Sequence, residues 1–529
     1  MKKLINLITV LVLFYPTIFA QEQKWDAYIG INGRYEQAED VLEYYDKGYI
    51  VDGGFQSSGN WYGWQIKTNI NGEILWDKTL QHNSYQMGCR ASVVDSDGNI
   101  YVFGTKMVGK SWPFVAKFDP CGENLWCKIL ADDQLNSGSP RDIIINESGE
   151  LILLCGYLTN DLKAQVYLVC LDTEGEYLWK QQYAAKEDHP WIAQPSARHL
   201  LELNNEYFIS GSCYWPYPTD TNHVFLRPLF IGIDSLFNEK WILPFAPLDS
   251  VFGNAYSSIP VNDTIILGVG KRRFDSQKVF SLIMGYHING QELWYNQITN
   301  DQISPDNKRN FIRNIEKTND SLYIAAVFFG PLSSDNPIGE FIIDTAGNLF
   351  NFQSRPNCFT SPSIIKAFDG NFVVASSIKK PNNDQDIYLY KIDENLESVP
   401  FDNTPYVYDS LCPTPIQSGI IDLTSCMVWT GTEEVPSPQQ YYATIAQIPL
   451  TAYPNPAETG ITLAFQNTEH HNNMLLECYN LFGQRVHSEK VYKGQQKTKL
   501  SIEQWQSGLY IAVIKSNGRV AGQVWFVRR

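Results

Sequence analysis

An eight-residue motif returns along this chain about every fifty residues. Asn69-Ile70-Asn71-Gly72-Glu73-Ile74-Leu75-Trp76 is the first copy, and Asp119–Trp126, Asp172–Trp179 and His287–Trp294 keep the same internal spacing. Asp234–Trp241 keeps the length but carries Phe237 in the glycine position. A sixth copy, Asp344–Phe350, keeps the turn and displaces the aromatic, and a seventh near Asp393 has lost both glycine and aromatic. Successive tryptophans lie 50, 53, 62 and 53 residues apart. Every interval also holds a second apolar–turn–apolar pattern: Val93–Gly104, Ile143–Gly156, Leu200–Gly211, Ile259–Gly268, Ile315–Ala325 and Ile364–Ala375. Two hairpins per unit make four strands. Four-stranded units at this period predict an all-β chain whose body is a β-propeller. One such sheet cannot bury both faces alone, whereas a closed ring of them can.

Units begin near Glu39, Ala91, Arg141, Arg198, Ala255, Phe311 and Ser363, which predicts about seven four-stranded blades, with six or eight left open. The turn glycine supplies a backbone conformation other residues resist, and the Trp four residues later is expected to plug between blades. Trp25–Gly33 and Tyr406–Trp429 fall outside the count; they close the ring or pair into an eighth blade. The repeat resembles the Trp-bearing propeller repeats of quinoprotein-like proteins, though its turn is one residue shorter. Cofactor-dependent members of that group carry an adjacent cysteine pair. This chain has no Cys-Cys, so no quinone site is carried over and no cofactor is expected.

The chain's formal charge of −16 is unevenly spread. Residues 451–529 hold nine Lys and Arg against five Asp and Glu, and the first twenty hold two Lys, which leaves −22 on residues 21–450. A body so acidic repels phosphate backbones, so nucleic acid is excluded as a partner. Met1-Lys2-Lys3, the apolar run Leu4–Phe14 and the small residue Ala20 form the pattern of a secretory signal peptide over residues 1–20. The ten cysteines suit an oxidising destination. Cys121 and Cys127 flank one turn and Cys412 and Cys426 bracket a short excursion, which makes these four the candidate disulfides; connectivity is left open, as is the alternative that none pairs. Cys155 and Cys170, inside apolar strands, read as buried thiols.

After a looser linker at 431–450, short strands with β-sandwich spacing begin at Tyr453-Pro454-Asn455-Pro456. Tyr479-Asn480-Leu481-Phe482-Gly483-Gln484-Arg485-Val486, then Gln506-Ser507-Gly508-Leu509-Tyr510-Ile511, and a basic finish at Arg528-Arg529 complete the pattern. Residues 451–529 resemble the type A C-terminal sorting domain of the Bacteroidetes type IX secretion system. The resemblance implies a small immunoglobulin-like β-sandwich after the propeller body of 21–430, and motif residues Tyr453, Pro454, Asn455, Pro456, Gly483, Gly508 and Tyr510. It also implies the type IX machinery and its sorting protease as partners, with surface lipopolysaccharide as a further one. The protein is then secreted, to the medium or the outer cell surface.

Catalytic signals are few. Asp95-Ser96-Asp97-Gly98-Asn99 opens like a calcium loop, but Lys106 stands where the bidentate glutamate belongs, and the slot recurs in other units as a plain hairpin turn. No His-Glu-x-x-His or Gly-x-Ser-x-Gly occurs, so no metal and no catalytic residue is assigned. Aromatic insertions are the ligand-binding candidates, because rigid rings in loops stack on sugars and anchor protein partners. They are Tyr214, Trp215 and Tyr217 in the longest unit, Trp61 and Trp64 in the first, Trp112 in the second, and Trp191 in a connection between units. The expectation is a non-catalytic binding or adhesion module for a glycan or protein ligand. The alternative is a propeller glycoside hydrolase or lyase with carboxylates and an arginine at the channel mouth.

Overall fold

The computed structural model describes residues 25–529 apart from 82–85, 217–223, 246–251, 275–277, 300–301, 304–308, 330–337, 356–361, 381–383, 431–434, 446–447, 466–473, 493 and 517–518. The segment read as a signal peptide and candidate Tyr217 therefore lie outside the described residues. Seven antiparallel blades follow one another. Their innermost strands are Tyr35–Glu43, Gln86–Val94, Leu135–Ile145, Ala193–Leu203, Gly253–Pro260, Asn310–Lys317 and Ser363–Lys366, each close to a unit start read from the repeat. Blades 2 to 6 each take their four blade strands from one continuous stretch, as does blade 1.

Blade 7 is built differently. Its three C-terminal strands are completed on the outside by Asp26–Ile29 from the other end of the body, paired antiparallel to Gln385–Ile392. The ring is thus closed by a strand that stands before the first unit. Gly419–Asp422 and Met427–Trp429 do not make an eighth blade. They add parallel fifth strands to the outer edges of blades 1 and 2.

The repeated motif explains itself in these contacts. An Asp or Asn at the first position accepts from the backbone N–H groups two and four residues on, as Asp119 does from Cys121 and Glu123, both at 2.9 Å. The glycine then takes a left-handed conformation, φ +80° at Gly175. A Cβ added there would come within 2.9 Å of the Trp126 indole of the preceding blade. That indole donates to Thr173 O, two residues before the glycine, at 3.1 Å. Trp241 repeats the arrangement with Gly290 and Ile288 O at 2.8 Å. Blade 7, whose own turn has lost its Trp, borrows Trp25, which faces Gly72 and donates to Ile70 O at 2.5 Å.

Where Phe237 replaces the glycine, the backbone still adopts φ +62° and the phenyl ring fills the slot, 4.2 Å from the ring of Trp179. Trp179 cannot then reach the usual carbonyl. Its N–H is taken at 3.0 Å by the hydroxyl of Tyr442, on the helix Pro438–Ile445, and that hydroxyl donates to buried Glu150 at 2.8 Å.

The cysteine pairing departs from the local arrangement suggested by proximity in sequence. Cys121 is bonded to Cys412 and Cys127 to Cys426, with Cα atoms 5.1 and 4.7 Å apart. The reason is topological: the segment carrying Gly419–Asp422 and Met427–Trp429 returns along the outer edges of blades 1 and 2, so each cysteine meets a partner across the sheet edge. Cys155 and Cys170 are buried free thiols.

The tail forms two sheets, one of three strands and one of four, beginning at Leu450–Tyr453 and ending at Arg519–Arg528. Asn455 ties the first strand to the last, accepting from Val527 N at 2.9 Å and donating to Trp525 O at 3.0 Å. Gly483 closes an Asn480 turn of the same type as those in the blades, and the Tyr510 hydroxyl donates to Gln506 O at 2.7 Å.

Candidate functional site

Each antiparallel blade has two ends. The Asp/Asn-Gly turns join first to second and third to fourth strands, so they share one face of the ring. The second-to-third hairpins and the connections between blades share the other, and Trp61, Trp112, Trp191, Tyr214 and Trp215 lie toward that second face.

Six of the seven innermost strands carry a β-bulge at the same level, where one extra residue stands opposite the neighbouring strand. The extra residues are Glu39, Arg90, Arg141, Arg198, Tyr256 and Arg313. A bulge turns its extra side chain away from the regular pleat. All six therefore line one cavity of about 110 Å³ on the propeller axis, together with Asp40, Asp142 and His199.

The cavity is cationic in a body that is otherwise strongly acidic. Arg90 pairs with Glu39. Arg313 lies 4.4 Å over the Tyr256 ring. Arg141 and Arg198 have buried Nε atoms with no hydrogen-bond partner among the described residues. Gly156 leaves room for the first of them: a Cβ there would stand 3.1 Å from Arg141 Nε. Burial, and then repulsion from the neighbouring arginines, lowers Arg141 to about 10; Arg313 is lowered to about 10, first by burial. Arg198 is lowered in the same direction, chiefly by burial. All remain charged at neutral pH.

The carboxylates beside them are turned to structural duty. Asp40 accepts from Ser363 Oγ at 2.9 Å, joining blade 1 to blade 7. Asp142 accepts from Leu200 N at 2.8 Å, joining blade 3 to blade 4. Burial raises both to about 6, and it lowers His199 to about 4. The arrangement is a ring of like charges held partly desolvated, with guanidinium donors left over. Chemically it offers bidentate, charge-assisted hydrogen bonds to a carboxylate, sulfate or phosphate.

The aromatic candidates divide. Trp64 is 4% exposed and donates to Asp77 at 2.9 Å, so it packs between strands and does not reach the face. Trp112 and Trp215 are half-buried against core clusters, and Tyr214 is at the surface. Trp61 lies over Gly54 and Gly88, whose added Cβ atoms would meet its indole nitrogen at 2.8 and 3.2 Å. Trp191 is 59% exposed.

The arginine ring was not among the sequence candidates. Its signal was a column in the repeat: Arg90, Arg141, Arg198 and Arg313 occupy one position in their units, just ahead of the apolar strand. Read one by one they are ordinary polar residues at a strand start.

Residues 451–527 match the secretion system C-terminal sorting domain family. The tail is therefore a type IX sorting domain, and the protein is secreted to the extracellular space or cell surface. No curated protein matches the chain. Among solved structures the chain is similar to the β-propeller domain of the Trilobed protease from Pyrococcus furiosus, which has an open velcro topology; identity is 12%, TM-score 0.39, and 70% of this chain and 100% of that one are covered. It is also similar to an ulvan lyase of a new polysaccharide lyase family, with 10% identity, TM-score 0.44 and coverage of 70% and 92%. A protein of unknown function from Dyadobacter fermentans gives 10% identity, TM-score 0.41 and coverage of 60% and 97%.

Proposed function

We propose that the secreted body is a non-catalytic binding module that captures an anionic group in the axial arginine ring. In this reading residues 1–20 are removed as a signal peptide, 21–430 form the working propeller, 431–450 link it to the sorting domain, and the product is held at the cell surface, where lipopolysaccharide is one candidate attachment. The observation that carries the reading is the pair of buried, unpartnered Nε atoms on Arg141 and Arg198. A buried N–H without a partner is costly to a folded chain, and an oxyanion relieves that cost.

The test is thermal unfolding of the purified chain with glucuronate or inorganic sulfate, against an uncharged sugar as control. The wild-type protein is expected to gain stability with either anion by mass action. An Arg141→Met/Arg198→Met variant is expected to be more stable than wild type without ligand, by roughly 1–4 kcal/mol, and to lose the anion-specific gain. Equal gains in both proteins would refute the assignment.

Anion affinity should also depend on pH. The groups facing the ring are Glu39, Asp40 and Asp142, with Asp52 behind Asp40 raised to about 7 by burial; His199 stays neutral across the range. Asp40 and Asp142 lose their charge as pH falls through about 6, which removes repulsion toward a bound anion while the arginines stay charged. Sulfate, whose own charge does not change here, is expected to bind roughly tenfold more tightly at pH 5 than above pH 7. A flat or inverted profile by calorimetry would contradict this.

A lyase reading has one observation in its favour: the Tyr256 ring stands beside Arg313 in the same cavity, a phenol next to a group that neutralises a uronate. Unsaturated product released from polyuronate by wild type, and lost in Tyr256→Phe, would establish it over the non-catalytic one.

A further inference from the structure

The axial cavity does not stand alone. It shares Arg141 with a second cavity of about 230 Å³ floored by Gly138 and Gly156, which in turn shares Ala164, Gln165 and Pro195 with a third of about 470 Å³ beneath Trp191. In the other direction it shares Glu39 and Arg90 with a cavity of about 230 Å³ floored by Gly53, Gly54 and Gly88, with Trp61 on its wall. The shared residues set these cavities side by side as a candidate groove on the insertion-bearing face, with an aromatic ring toward each end and the arginines in the middle.

Building on the anion-binding reading, we infer that the groove takes an extended acidic polysaccharide, one oxyanion seated in the arginine ring and flanking sugar rings reaching Trp191 on one side and Trp61 on the other. The outer cavity beneath Trp191 has the chemistry for hydroxyl-rich rings: the amides of Gln165, Gln182 and Gln194 line it, with Lys163 and Lys186. Amides donate to and accept from hydroxyls, and indole faces stack on the apolar faces of sugars.

Trp191 is held out by design of its connection. His189 Nε2 lies 2.5 Å from Glu239, and the neighbouring Ile192 is buried, so the exposed indole projects from a fixed backbone. Gln194, at φ +51°, accepts from Ala164 N at 2.9 Å and pins the start of the next blade.

The ligand's charge must be sparse. The centre sets four arginines against three carboxylates and the rest of the body is acidic, which suits a glycan with one oxyanion per repeat and disfavours a polyphosphate. Carboxylate and sulfate share this chemistry, and the experiment separates them.

Calorimetry of the full chain with a galacturonate oligosaccharide, a sulfated carrageenan oligosaccharide and the galacturonate monomer tests the inference. One of the two oligosaccharides is expected to bind roughly tenfold more tightly than the monomer, and the one that does names the oxyanion. Trp191→Ala, at an exposed site, should abolish most of that advantage while leaving monomer affinity and melting temperature unchanged; Trp61→Phe, which keeps a packed ring over Gly54 and Gly88, should reduce it from the other arm. Monomer binding with no gain for either oligosaccharide would overturn the groove and leave the arginine site standing. No binding by any of the three would remove both. Single-stranded DNA binding as tightly as the oligosaccharides would overturn the glycan assignment.

Discussion

Replacing all four of Cys121, Cys127, Cys412 and Cys426 by serine is expected to cost the body on the order of 8 kcal/mol, enough to unfold a typical domain. The two contributions are nearly equal but not additive. Cys121–Cys412 spans 291 residues and Cys127–Cys426 spans 299. Either one alone closes a loop over blades 3 to 7, worth roughly 5 kcal/mol in chain entropy. Once one is in place, the other closes only about twenty further residues, worth roughly 3 kcal/mol. Cys127→Ser/Cys426→Ser should therefore lose about 3 kcal/mol, and the quadruple variant far more than twice that of a surface substitution. Denaturant unfolding measures both. A quadruple variant within about 1 kcal/mol of wild type would show that the bonds do not constrain the unfolded chain. Peptide mapping without reduction checks the connectivity directly: a peptide holding Cys121 must run with one holding Cys412.

Trp25→Ala is expected to destabilise the propeller by about 3–5 kcal/mol. Trp25 is 1% exposed, and it performs for blade 7 the work that Trp126 and Trp241 perform within their own blades. Its loss removes a large buried ring, the hydrogen bond to Ile70 O and the anchor of the strand Asp26–Ile29, so the ring opens where its two ends meet. The matched control is Tyr28→Ala, on the same strand but 55% exposed, which should cost under about 1 kcal/mol. Equal losses for the two variants in chemical denaturation would mean that pairing of the strand, and not the Trp, closes the ring.

Both results bear on what a reader of the chain can see. The turn motif was legible because its physics is local. Asp119 bonds to backbone N–H groups two and four residues away, and Gly175 needs only its own φ; both constraints are written within eight residues and copied blade after blade. The sorting domain was legible for the same reason, as contiguous segments around Tyr453, Gly483 and Tyr510. Even Phe237 was visible as an exception, though not the remedy for it, since Tyr442 lies 263 residues beyond the Trp179 it serves.

What tertiary structure alone decided was everything assembled from distant positions. The cysteines were identified and their partners were not, because proximity along the chain says nothing about a strap that returns to blades 1 and 2 from the far end. Trp25 preceded the first repeat, in a segment that could either close the ring or join an eighth blade, and only the segment's pairing with Gln385–Ile392 decided between them. The arginine ring is the clearest case. Arg90, Arg141, Arg198 and Arg313 lie about fifty or more residues apart, within residues 21–450, whose summed charge of −22 argues against any anion. Sevenfold repetition laid down a column, and a bulge at the same level of the inner strands turned that column toward the axis. Net charge is a sum over the whole surface, but a binding site is a local field, and only closure of the ring brings those four guanidinium groups within reach of one another.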